Sequence, residues 1–279
     1  MPHEKTMDLI LANLATIAAL AATGIVAGLL AGFLGVGGGI VIVPVLYFLF
    51  QSFGVSAQSA VIIATATSLA TIVPTSLSSI KSHQTLGNVD FSLLKSWSVF
   101  ILFGVLCGSL LVTEFGGLWL SALFGMVAMF VAFNLLFRTK TATITYSLPS
   151  KFKQGVIASF IGFFSSMVGI GGGTFSLPVL SAYNFSTPKA VGTAAGIGLI
   201  ISFPAAITMM VFGETPNDAP IGTYGLVNLL GFVCIVPLTV LSAPFGAKLT
   251  SIINAQIVKR IFAGVLLLTG IRMLLPLFF

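Results

Sequence analysis

The sequence predicts an all-α integral membrane protein. Three observations carry that prediction: the composition, a glycine run closed by a proline that is written twice, and the sorting of basic residues among the links. Of 279 residues, 57% are hydrophobic and 6% charged, and the mean hydropathy is +1.14. A soluble domain carries about 25% charged residues, so this chain cannot cover a water-facing surface. Apolar runs of about 20 residues recur between short polar links, which describes a helical bundle and not a barrel. No segment is polar enough for a soluble domain, so residues 1–279 are read as one membrane domain.

The repeat comes next. Gly35-Val-Gly-Gly-Gly39 matches Gly169-Ile-Gly-Gly-Gly173, and Pro44 matches Pro178. Downstream, Ala60-Val61 matches Ala190-Val191 and Pro74 matches Pro204. Gly108, Leu123 and Phe124 align with Gly246, Ile261 and Phe262. The chain therefore divides into repeat one, 1–140, and repeat two, 150–279, joined by a link over 138–153. Each repeat has a glycine-interrupted segment (8–50, 153–182) followed by three plain runs. Those runs are 57–80, 93–113 and 119–137, then 188–212, 225–246 and 255–277, so eight hydrophobic units are expected in all. The segment after Lys5 resembles a signal peptide, but the repeat needs it as a retained first element.

Charge orients these units. Lys81 and Lys95 flank one link, Arg138, Lys140, Lys151 and Lys153 load the middle one, and Lys248, Lys259 and Arg260 mark a third. The links holding Glu114 and holding Glu214 and Asp218 contain no basic residue. Cytoplasmic links collect Lys and Arg, so the first set, including 138–153, is assigned inside and the second outside. Parity then requires the 153–182 segment to enter and return on one side, and Lys189 agrees with an inside position. The same argument puts both termini and the 51–58 link outside. The two repeats thus have inverted topology, a plan common among secondary transporters.

The glycine runs now have a function. Glycine lets a chain break at membrane depth, where φ > 0 is needed or a Cβ would clash. Lipid cannot satisfy the freed backbone groups, so such a break must line a protein-enclosed or watery cavity. Paired breaks in corresponding positions point to a substrate site. A half-helix starting after a break aims unpaired N–H groups and a positive dipole end at that cavity, which suits an anion. Hydroxyls add neutral donors: Thr174 and Ser176 after the second break, Thr65, Thr67 and Ser68 on the run after the first, and Thr193 on its counterpart. Arg272 is read as an interfacial anchor, and Lys81, Lys95, Lys248 and Glu114 as snorkelling residues near run ends. His3 and His83 fall at a terminus and in a link, leaving no proton-relay chain at depth. Asn88 and Asp90 are expected to shape a turn and a helix start. Cys107 and Cys234 lie in apolar runs without flanking ligands and read as buried small hydrophobes. The sequence offers no cofactor motif, no metal cluster and no nucleic-acid face.

With its doubled "GxGGG…P" signature, its "GNVD" link and its paired halves, the chain resembles the sulfite exporter TauE/SafE family, also called the toluene-sulfonate uptake permease family. The resemblance covers nearly the whole chain. It implies a multi-pass transporter in the bacterial or archaeal plasma (inner) membrane, moving small anions such as sulfite, sulfoacetate or related sulfonates. By motif it implies Gly37, Gly38, Gly39, Gly171, Gly172 and Gly173 as site elements. The family commonly follows "GNVD" with Trp, where this chain has Phe91. Its members differ in substrate and direction. The expected partners are a small anion, the lipid bilayer and a coupling ion, proton or sodium, and the sequence is compatible with a homo-oligomer. An anion channel and a transporter of a non-sulfur carboxylate are the alternatives. An intramembrane enzyme would need a cluster of acids, His or a nucleophile–base pair at depth, and none appears.

Overall fold

The computed structural model describes residues 2–35, 37–137, 148–249 and 255–275. The expected middle link thus lies mostly outside the described residues, including Arg138 and Lys140, as does the side chain of Lys259. The described chain is helical apart from one two-stranded hairpin. Its order is α1 (Pro2–Leu34), α2 (Gly39–Ser52), α3 (Ala57–Thr85), α4 (Phe91–Phe115), α5 (Leu118–Phe137), α6 (Lys151–Val168), α7 (Gly173–Ala182), α8 (Thr187–Val211), β1 (Thr223–Tyr224), β2 (Val227–Asn228), α9 (Leu229–Leu249) and α10 (Ala255–Leu274). The expected eight runs become ten helices because each glycine-interrupted run folds as two.

Among the described residues, six helices are long and apolar enough to cross a bilayer: α1 over Thr16–Phe33, α3, α4, α5, α8 and α9. The chain is a multi-pass membrane protein. Helices α2 and α7 are too short to span. At 1.5 Å per residue they reach only about 21 and about 15 Å.

The chain reverses at the first break. A Cβ on Gly38 would lie 2.7 Å from the Ala27 carbonyl oxygen, two turns back along α1, so α2 starts out folded against the helix that precedes it. Prolines follow shortly in both short helices, Pro44 in α2 and Pro178 in α7. Each lacks an N–H, so the carbonyls of Ile40 and Thr174 lose their intrahelical donor.

The long helices pair through small residues. Helix α1 lies on α9 and α4 on α6. Added Cβ atoms would come within 2.5 Å of Thr239 O at Gly28 and 1.9 Å of Ala243 O at Gly32. At Gly104 and Gly162 they would meet Ser159 O at 2.0 Å and Ile101 O at 2.4 Å. Backbones this close need glycine, the usual means of helix association where lipid removes any hydrophobic drive. Helix α3 packs on α8, α9 and α2; α8 packs on α4 and α7; α5 packs on α10. Exchanging helices 1–5 with 6–10 maps α1–α9 onto α6–α4, α3–α9 onto α8–α4 and α2–α3 onto α7–α8. The pairs α3–α8 and α5–α10 map onto themselves.

Candidate functional site

The first break needs glycine for its backbone. Helix α1 ends at Gly35 (φ 66°), and Gly37 (φ 74°) and Gly38 (φ 77°) turn the chain into α2. Gly38 is the N-cap, and its carbonyl accepts from Val41 N at 3.0 Å and Ile42 N at 3.2 Å. An L-residue at such φ costs about 1–2 kcal/mol before any clash.

The second break differs. Gly169 closes α6 at φ 72°, but Gly172 precedes α7 at φ −54°, ψ −21°. The expected need for φ > 0 therefore does not hold at Gly172, where space is the constraint. A Cβ there would meet Ile197 Cγ2 at 2.4 Å and Gly198 N at 3.0 Å.

The two breaks touch. A Cβ on Gly37 would lie 3.1 Å from both the Gly171 Cα and Ile72 Cγ2. On Gly39 it would meet Gly169 O at 2.4 Å, Ile72 Cδ1 at 2.8 Å and Ser68 Oγ at 2.9 Å. Ser68 Oγ donates to Gly169 O at 2.8 Å, and Thr65 Cα lies 2.9 Å from the Cβ position of Gly169. Thus Thr65, Ser68 and Ile72, on one face of α3, border the junction. The first N–H groups of α2 and α7 have no acceptor within their own helices. Both helix starts bring a partial positive charge to this region, with no ionised side chain among the residues just named.

The expected hydroxyls fall into two groups. Thr65, Thr174 and Ser176 are buried, and their oxygens have no hydrogen-bond partner among the described residues. Thr67 and Thr193 are also buried, but each serves a helix start. Thr67 Oγ1 accepts from Asn228 N at 2.8 Å where α9 begins, and Thr193 Oγ1 accepts from Asp90 N at 3.0 Å where α4 begins. Asp90 caps α4 through Leu93 N at 3.0 Å, as its place in the link predicts. Asn228 caps α9 through Gly231 N at 2.8 Å, a role the sequence did not single out.

Ile72, Ser76 and Gly198 were not singled out either. The signal was there: Thr65, Ser68, Ile72, Ser76, Ser79 and His83 recur every three or four residues, one face of a helix. His83 is corrected from a link residue to a buried one in the last turn of α3, with Nε2 3.1 Å from Gly32 O. A carbonyl only accepts, so Nε2 carries the proton. Cys107 is exposed on α4 and not buried as expected, and Cys234 is intermediate. Arg272 is exposed in the last turn of α10, its guanidinium 6.0 Å from the centre of the Phe48 ring. A groove of about 550 Å³ along Met129, Phe130, Phe133, Asn134 and Phe137 belongs to α5 and takes no lining from the breaks.

Charges sort to the two ends of the bundle. Lys189 Nζ pairs with Asp90 Oδ2 at 3.0 Å, joining the starts of α8 and α4, and Trp97 Nε1 donates to Gln154 Oε1 at 3.0 Å, adding the start of α6. That end holds Lys81, Lys95, Lys151, Lys153, Lys189 and Lys248. Burial pushes the Asp90 carboxyl up, but the Leu93 N–H and the Lys189 ammonium outweigh it and hold it below the usual carboxylate value. At the opposite end Asp218 Oδ2 accepts from Ser56 N at 2.8 Å, at the start of α3. The Ser59 hydroxyl and the Ser56 N–H lower the Asp218 pKa to about 2. Glu114 and Glu214 lie at this end, and Arg272 is near it.

A multi-pass helical bundle, centred on two glycine-broken helices whose short second halves begin in its interior, has the build of a membrane transporter. The family model described as "Sulfite exporter TauE/SafE" matches residues 20–273, and the chain belongs to that family. It is similar to a "Probable membrane transporter protein" of Haemophilus influenzae, 28% identical over 252 residues that cover 90% of this chain and 96% of the relative. A protein of Methanocaldococcus jannaschii, also named a probable membrane transporter protein, is 25% identical over 257 residues, covering 90% of this chain and 93% of its own. The probable membrane transporter protein YunE of Bacillus subtilis is 27% identical over 281 residues, covering 91% and 96%. No solved structure matches the chain.

Proposed function

We propose that this transporter carries a small oxyanion, with sulfite, sulfonates and sulfoacetate-like compounds as its substrate class, bound where the two glycine breaks meet. One observation carries the reading: the starts of α2 and α7 converge on buried hydroxyls that, among the described residues, have no partner and no fixed cation between them. Helix starts and neutral donors recognise an anion without trapping it by a full countercharge. The glycines at 37–39 and 171–173 form the backbone of the site, with Thr65, Ser68, Thr174 and Ser176 as its hydroxyls. Thr67 and Thr193 contribute by holding the adjoining helix starts.

The halves 1–140 and 150–279 are inverted repeats in this reading. The exchange of helix pairs between α1–α5 and α6–α10 supports it, as does the antiparallel course of α3 and α8, whose starts lie at opposite ends. The lysine-rich end is cytoplasmic by the positive-inside rule, which places the N-terminus outside.

The test is uptake into proteoliposomes of labelled sulfite, sulfoacetate and acetate, with and without unlabelled anion inside. Saturable uptake accelerated by internal anion is expected for sulfite or sulfoacetate. Uptake that never saturates and shows no counterflow would replace the transporter cycle with a channel. Imposed proton and sodium gradients in the same vesicles identify the coupling ion.

A further inference from the structure

Helix α8 passes the start of α7 at Gly198, where the packing changes character. Most buried glycines in this bundle face backbone within 3 Å, but a Cβ on Gly198 would have only two described heavy atoms within 4 Å beyond its own neighbours. These are Ser76 Oγ at 3.2 Å and Gly172 N at 3.6 Å, and both are polar. Ser76 is 1% exposed, and its hydroxyl has no partner among the described residues. Gly172 N, just ahead of the ten-residue α7, makes no backbone hydrogen bond there either. A buried hydroxyl and a helix-start N–H thus both lie beside the bare Cα of Gly198, where even a Cβ would be tight against Ser76, in a region where unmet donors are costly.

We infer that Ser76, Gly172 N–H and the bare face of Gly198 form a subsite for one oxygen of the anionic substrate. The inference rests on the anion-transport reading and assigns it residues outside the hydroxyls named so far. The ligand chemistry follows from the donors. Two hydrogen-bond donors and the positive end of α7 attract an oxyanion and repel a sodium ion, which would need acceptors there. Gly198 keeps the place clear. In the register of the sequence repeat its counterpart is Ser68, which carries a side chain whose hydroxyl is spent on Gly169 O. The subsite therefore belongs to one break only.

The test uses the full-length protein purified in detergent, with melting followed against increasing sulfite, methanesulfonate or acetate. A ligand that binds only the folded state raises the melting temperature by an amount that grows with the ratio of free ligand to its dissociation constant. Wild type should be stabilised by at least one sulfur oxyanion. Ser76→Ala should weaken the apparent affinity about tenfold, the worth of one hydrogen bond to a charged group. Gly198→Ala, which puts a methyl into the space while favouring the helix, should weaken it at least as much. Ser121→Ala, at another buried and unpartnered hydroxyl on α5, should change nothing. Wild-type affinity in both Ser76→Ala and Gly198→Ala would overturn the subsite and leave the anion reading standing. A wild-type protein that no oxyanion stabilises, and that carries none in vesicles, would overturn both.

Discussion

The two breaks are spelled almost alike, yet their backbones differ. Among the described residues the first has three at positive φ, Gly35, Gly37 and Gly38, whereas the second has one, Gly169. At Gly38 the chain doubles back onto α1 in a left-handed conformation; at Gly172 it already follows a right-handed helical path toward α7. The same residue type thus answers two demands, conformation in one half and close approach in the other. A glycine motif shared by two repeats need not mean a shared backbone.

Substitution at the paired glycines should separate those demands. Gly38→Ala is expected to have the largest effect, because left-handed strain of about 1–2 kcal/mol adds to a Cβ pressed against the Ala27 carbonyl. Transport should be lost and the melting temperature should fall. Gly172→Ala carries no such strain and should lose less, although its Cβ must displace Ile197 Cγ2, 2.4 Å away on a stiff β-branched side chain. Equal losses in the two variants, in vesicle uptake and in melting, would erase the distinction.

Ser68 and Thr67 sharpen it further. Ser68→Ala leaves the buried Gly169 carbonyl without its side-chain donor, at a cost of about 1–3 kcal/mol. Thr67→Val removes the acceptor of the Asn228 N–H and should destabilise comparably. Only Ser68→Ala should also raise the half-saturating substrate concentration, because Thr67 acts at a helix start away from the junction. A Thr67→Val protein of normal stability but weakened affinity would move that hydroxyl into the site.

The smallest effect is expected at the acidic end. With its folded pKa at about 2, Asp218 adds stability that is fully present above the ordinary carboxylate value near 3.9. That stability is lost as pH falls through the folded value. The melting difference between wild type and Asp218→Asn should therefore hold from neutral pH down to about pH 4 and shrink toward pH 2. A difference independent of pH over that window would mean that the carboxylate charge is not what Ser56 and Ser59 engage.

How far the sequence reached depended on how local each feature is. The doubled "GxGGG…P" marks both breaks and both short helices because glycine and proline act on the backbone where they stand. Asp90 was legible as a cap for the same reason. Thr67 and Thr193 were not separable from Thr65, because their partners, Asn228 and Asp90, are supplied by distant helix starts. The polar stretch "KSHQTLGN" reads as a link, yet α3 runs on to Thr85 and turns His83 inward. Cys107 shows a limit particular to membranes. Lipid is as apolar as a core, so an apolar run does not say which of its faces is buried.

The glycine-faced pairs have a consequence for biosynthesis. Helix α1 finds its main partner in α9, made eight helices later, and α4 must wait for α6. When the ribosome has finished α5, the bare glycine faces of α1 and α4 are still uncovered, and Ser68 has no Gly169 carbonyl to meet. The first five helices can thread into the bilayer one at a time, but their packing has to wait for the second five. Lipid or an insertion chaperone must shelter those faces until the end of the chain emerges.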